Sequence, residues 1–370
     1  MADLEQARTL GMKVRLTEDK VATRRESFKI EGRSEHRDSM LRHGVLISEA
    51  MTPDLERNIS EVCERLFVPR SAVTAFVYSS AEVQADCLID SMDSCVLRFT
   101  SGLVNLMDEA EFRFVASHEL GHFILGHDSC GQFVSGSSAE GFMIQRSREL
   151  SADRIGYLGI ENLDEALRAI MKTASGLTSE HLRFDVSMFL SQKELLTKPS
   201  SGEHKNSTHP SMLIRCRALI WFSMNIKSAG CVANLSDSSL DDINYRVTRD
   251  LERFVDGRIR LERNEVENDI FIWKLCLLII AEGSFSKDLQ GAVSKLVGKV
   301  ELEQIRGFFE LYEADDLHDE TELRLNNALQ RSEADFPSSA PEMEDKAFSR
   351  AYSIISEATT FSDCSNIESL

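Results

Sequence analysis

The residues best placed to do chemistry in this sequence are His118, Glu119 and His122, inside the otherwise apolar stretch "FVASHELGHFILGH". Residues four apart share a face of a helix, so the two imidazoles project toward a common point. Two neutral imidazoles at that spacing suit zinc, and Glu119, one step round the helix, is placed to hydrogen-bond a water on the metal. This is the H-E-x-x-H arrangement of two ligands and a general base. The competing reading, a buried helix with incidental polar residues, leaves three ionisable groups in need of partners. His127 is five residues past His122. At roughly 100° per residue it falls on the far side of the helix from His118. It reads as a structural residue at the helix end unless the chain turns at Gly126.

A catalytic zinc needs a third protein ligand and an open position. The segment "RELSAD" offers Glu149 and Asp153, four apart on one helical face. Glu149 can complete a His/His/Glu set, and Asp153 can accept the free ring N–H of a ligand histidine. The plainer alternative is a solvated acidic face beside Arg146, Arg148 and Arg154. In "THPSMLIR", His209 and Arg215 bracket the start of a helix with Pro210 in its first turn. Near zinc, His209 can donate to a tetrahedral oxyanion, and Arg215 can bind a carboxylate, that of the substrate or of Glu149. Otherwise they belong to an ordinary capped helix.

These side chains need a scaffold of helices around a small sheet. Helix signals begin at "TPDLERNISEVCERLF", with Thr52 as N-cap and Pro53 at the first position. Three β-rich runs follow at 72–78, 83–89 and 95–100. Asp108 and Glu111 form a capping-box pattern for the motif helix, and Gly126 marks its end. Further helices are expected through "IQRSRELSADRIGYLGI", after Asn162, and from Pro210. Beyond about residue 235 the pattern is helical with few strand signals. The expected organisation is a charged arm over 1–40, a metallopeptidase domain over 41–228, a helical module over 235–330 and a Ser/Glu-rich flexible tail over 331–370 with one short amphipathic helix.

Composition narrows the setting. The formal net charge of -19 disfavours nucleic acid and anionic membrane surfaces. The longest apolar run, "FIWKLCLLIIA", contains Lys274 and is too short to span a bilayer. The N-terminus has no secretory pattern. The eight cysteines contain no C-x-x-C pair, so they read as packed thiols of a reducing compartment rather than metal ligands. A cytoplasmic protein is expected.

Four segments then occur in a characteristic order: "TSGLVNLMDEAEFRFVASHELGHFILGH", "RELSADRIGYLGIENLDEALRAIMK", "THPS", and the helix bearing Arg215. Over residues 45–225 that order resembles the peptidase family containing the HtpX heat-shock protease and the CAAX prenyl protease, which are zinc gluzincins. The resemblance implies one zinc ion held by His118, His122 and Glu149, with Glu119 as general base and acid. It implies that Asp153 steadies a ligand and that His209 and Arg215 stabilise the oxyanion. The implied fold is α+β, a mainly helical gluzincin core with a small β-sheet, followed by an all-α C-terminal module. Substrate would lie along an edge strand, here "EVQADCLI". The best-known members are embedded in membranes and this chain has no spanning helix, so it looks like the soluble branch. The implied activity is zinc-dependent endopeptidase action on a protein or peptide, with a partner protein possible at the C-terminal module. Two rivals are a zinc-binding scaffold with little proteolysis, and a regulator-cleaving protease of the ImmA/IrrE type, which also carries an H-E-L-G-H helix.

Overall fold

The computed structural model describes residues 33–91, 93–127, 138–192, 209–229 and 236–358. The first 32 residues, most of the Gly/Ser loop at 128–141, the loop ending at Thr208 and the last twelve residues lie outside that set. Two compact units divide the chain: one runs to Asp256, and the other takes Gly257 onward together with the short segment ending at Gly141.

The first unit is α+β. Helix α1 (Arg33–His43) leads into a three-residue strand β1 (Gly44–Leu46), and α2 (Pro53–Arg65) follows. Thr52 stands at the start of α2 but does not cap it with its side chain. Its hydroxyl accepts the Ser48 N–H instead. Ile59, Val62 and Cys63 on the inner face of α2 are buried. Strands β2 (Val73–Tyr78), β3 (Ala85–Ser91) and β4 (Ser94–Thr100) complete a sheet of order β1-β2-β4-β3. The β2/β4 pair is parallel, and the β1/β2 and β3/β4 pairs are antiparallel. The segment expected at the edge therefore lies at an edge, as β3. Arg98 of β4 donates to both carboxylate oxygens of Asp86 across to β3, at 2.6 and 2.8 Å.

A short helix α3 (Ser101–Leu106) leads to the motif helix α4 (Glu109–Ile124). The capping box is present: Asp108 Oδ1 accepts the Glu111 N–H at 2.9 Å and Glu111 Oε2 accepts the Asp108 N–H at 2.8 Å. From Glu111 to Gly121 almost every residue of α4 is buried, so this helix forms the centre of the unit rather than its surface. Then come α5 (Ala139–Ile160), α6 (Leu163–Ser175), a short α7 (Val186–Ser191), α8 (Met212–Ala229) and α9 (Asp237–Leu251). Two buried ion pairs brace this helical layer. Lys172 of α6 reaches Glu111 at 2.5 Å, and Arg146 of α5 reaches Asp256 at 2.5 Å.

The second unit is all-helical: α10 (Gly257–Ala281), α11 (Lys287–Leu296), α12 (Lys299–Leu311), α13 (Ala314–Asp335) and α14 (Ala340–Ala358). Two sequence expectations are corrected here. The compact units separate at Asp256/Gly257, inside continuous helix, and not near residue 235. Much of the supposed flexible tail is the helix α14, whose Met343, Ala347, Ala351, Ile354 and Ile355 are buried. That spacing puts one apolar stripe into the module's core. The buried carboxylate of Glu140, which belongs to this unit, accepts the Ser338 N–H at 3.0 Å and the Ser339 hydroxyl at the start of α14. Negative charge there suits the helix dipole. Among the described residues no helix is long and apolar enough to cross a membrane.

Candidate metal centre

Two helices supply the site. α4 brings His118, Glu119 and His122, and α5 brings Glu149 and Asp153. His118 Nε2 and His122 Nε2 stand 3.3 Å apart. Glu149 faces both: Oε2 is 3.4 Å from His118 Nε2, and Oε1 is 3.5 Å from His122 Nε2. All three groups can offer a ligand atom within 4.8 Å of one another. Four tetrahedral donors about 2.0–2.2 Å from one centre stand about 3.3–3.6 Å from each other, so the donor set fits a zinc ion.

The far sides of both rings are held. His118 Nδ1 donates to Asp153 Oδ1 at 3.0 Å. Arg215, on α8, donates to the same carboxylate through Nε at 2.8 Å and Nη2 at 2.5 Å. The sequence left Arg215 to bind either the substrate or Glu149. The structure turns its guanidinium onto Asp153, a buried two-point pair that fixes the carboxylate holding His118. For His127 the chain makes the turn at Gly126 that the sequence left open. Gly126 adopts φ 64°, the His127 N–H donates to the His122 carbonyl at 3.0 Å, and the ring folds back so that its Nδ1 lies 2.8 Å from His122 Nδ1. Helical phase put His127 on the wrong side because the helix has already ended. The glycine followed by His was the available signal. His209 is 59% exposed in its side chain, with Nε2 3.6 Å from Glu149 Oε2, on the rim of the site.

The electrostatics agree with a site built for a cation. Burial by itself would lower the His118 pKa, but the hydrogen bond to Asp153 and the Glu149 carboxylate push it up to about 10. Burial and the neighbouring His118 charge lower His122 to about 3. Against the effect of burial, His118 and Arg215 hold the Glu149 carboxyl well below its usual range. Asp153 is likewise lowered, by Arg215 first and then His118, against its burial. Glu119 goes the other way: burial lifts its carboxyl to about 7. A metal ion bound at this cluster would compete with a proton for the His118 ring. The second acidic cluster, Asp108, Glu111 and Glu165, is different. Lys172 stands 2.5 Å from Glu111 and Arg168 3.0 Å from Glu165, so cations of the chain already occupy it.

Comparison with known proteins places this geometry. Residues 49–140 match the family described as Peptidase family M48. That stretch holds the HELGH segment and stops short of Glu149, Asp153 and Arg215. The chain is similar to the Plastoglobule-localized metallopeptidase 48, chloroplastic, of Arabidopsis thaliana, at 25% identity over 210 residues. The match takes in 50% of this chain and 60% of that protein, so the chain spans about three-fifths of the relative's length. No solved structure matches. Over these stretches the chain is similar to M48 metallopeptidases, the kind of protein that its own ordered motifs resemble.

Proposed function

We propose that this protein is a zinc-dependent endopeptidase that hydrolyses peptide bonds in a protein or peptide substrate in the cytoplasm. One observation carries the reading: the triangle of His118, His122 and Glu149 donors has edges of 3.3–3.5 Å, the separation expected of zinc ligands. His118, His122 and Glu149 would hold the zinc ion, which would supply Lewis acidity at the reacting carbonyl when bound. Glu119 would take a proton from the attacking water at its carboxylate and return it to the leaving amine. Burial lifts the Glu119 carboxyl in the metal-free protein, the direction that suits a group that must both accept and give a proton. His209, on the exposed rim beside Glu149, donates to the oxygen on which charge develops. Arg215 acts through Asp153, keeping the His118 ring turned with Nε2 toward the ligand triangle. Substrate pairs with the edge strand β3, which packs beside α4.

The described cysteines, Cys63, Cys87, Cys95, Cys216 and Cys276, are free thiols, which supports a reducing compartment. The test of activity pairs zinc content with cleavage of an unfolded protein such as casein. The parent should hold about one zinc per chain and cleave, whereas Glu119→Gln should keep its zinc and lose turnover by about a hundredfold or more. Full turnover in Glu119→Gln would overturn the assignment. Zinc without cleavage of any substrate would favour a scaffold role, and cleavage confined to one repressor-like target would favour a regulator-cleaving protease.

A further inference from the structure

Helices α4 and α5 pack tightly where Ser117, the residue before His118, faces Gly159. A Cβ added to Gly159 would stand 2.0 Å from Ser117 Oγ and 2.6 Å from Ser117 Cβ. Nearby, a Cβ on Gly156 would meet the Phe114 ring at 2.8 Å, and one on Gly121 would stand 3.2 Å from Ala152 Cα. Each contact joins the helix of His118 and His122 to the helix of Glu149 and Asp153. Ser117 is fully buried, and its hydroxyl donates to the Arg113 carbonyl at 2.7 Å. The hydroxyl is therefore tied to its own helix, and its Cβ has no rotamer by which to withdraw.

We propose that Gly159, with Ser117 opposite, is a positioning residue of the metal centre. Its missing side chain sets the α4–α5 separation at which Glu149 meets both ligand histidines and Asp153 meets His118. The inference deepens the metallopeptidase reading and rests on it for zinc affinity, while the His118–Asp153 contact tests it independently of any metal. An alanine at 159 must open the 2.6 Å approach to Ser117 Cβ to the ordinary 3.4 Å contact, a spread of at least about 0.8 Å. A metal or catalytic constellation tolerates only about 0.5 Å of displacement. The helix between residues 149 and 159 is rigid enough to carry the shift to Glu149 and Asp153.

Three variants of the full chain decide the matter: Gly159→Ala, the double variant Ser117→Gly with Gly159→Ala, and Gly291→Ala in α11, where a Cβ meets nothing within 4 Å. Two quantities are read. One is the downfield proton resonance of the His118 ring N–H bonded to Asp153, recorded without metal. The other is the zinc dissociation constant from chelator competition. Gly159→Ala should lose or shift the resonance and bind zinc at least about tenfold more weakly. The double variant should regain the resonance and come within about twofold of the parent affinity, with Gly291→Ala matching the parent. A folded Gly159→Ala with the parent's resonance and affinity would overturn the proposal. So would a double variant no better than the single one, and that comparison decides if Gly159→Ala does not fold. A parent that shows the resonance but binds no zinc would sink the metallopeptidase reading, and the resonance alone would then decide the role of Gly159.

Discussion

Replacing Lys172 by methionine should destabilise the protein far more than its distance from the metal centre suggests. Lys172 Nζ lies 2.5 Å from Glu111 Oε2 and donates to the Leu106 carbonyl at 3.2 Å. Glu111 has no exposed surface, and it also closes the capping box at the start of α4. Removing one partner of a buried ion pair costs about 3–5 kcal/mol, because the remaining charge is stranded. Glu111 keeps the Asp108 N–H and has the Arg168 guanidinium at 4.0 Å, so the low end, about 3 kcal/mol, applies. Changing Glu111 to Gln in the same chain removes the stranded charge and keeps a side chain able to cap. The double variant should then lie within about 1 kcal/mol of the parent, the cost of the unmet Leu106 carbonyl. Urea denaturation of parent, both single variants and the double gives the coupling directly. A Lys172→Met loss below about 1 kcal/mol, or a double variant as unstable as Lys172→Met, would refute the assignment of this pair as the clamp on α4.

Two more expectations concern the metal centre. His127→Gln should weaken zinc binding about tenfold to a hundredfold, read by chelator competition, because His122 Nδ1 loses the ring 2.8 Å away that orients it; parent affinity would show that the contact is idle. The metal-free protein should also lose stability as pH rises. His118 is held at about 10, above its ordinary 6.5, so its contribution is complete below pH 6.5 and disappears as pH climbs through about 10. Denaturant midpoints of the metal-free protein should fall across pH 7–10, and Asp153→Asn should flatten that fall; equal slopes in the two proteins would contradict it.

Much of the site was legible because its geometry is local. His118 and His122 on one helix, and Glu149 and Asp153 on another, each sit four apart, and helical phase alone put each pair on one face. The capping box at Asp108 and Glu111 and the β-rich runs at β2 and β4 were equally local signals. What escaped the sequence is set by long-range contacts or by a single backbone angle. The turn at Gly126 was readable in the sequence, but not that it would bring His127 onto His122. Arg215 could have chosen any carboxylate, and its partner follows from where α8 packs. Strand β1 is too short to leave a period of its own. The sequence showed one short amphipathic helix near the C-terminus, but its Ser/Glu-rich setting and weakly apolar alanines concealed that the stripe from Met343 to Ile355 is core. The boundary between the two units lies inside helix, where composition leaves no linker to read.

X-ray absorption at the zinc edge tests the central claim most directly. The account predicts a shell of two imidazole nitrogens and oxygen neighbours at about 2.0–2.2 Å with no sulfur, and Glu149→Ala should lose an oxygen from it. A sulfur shell at about 2.3 Å, or a shell without imidazole scattering, would contradict it.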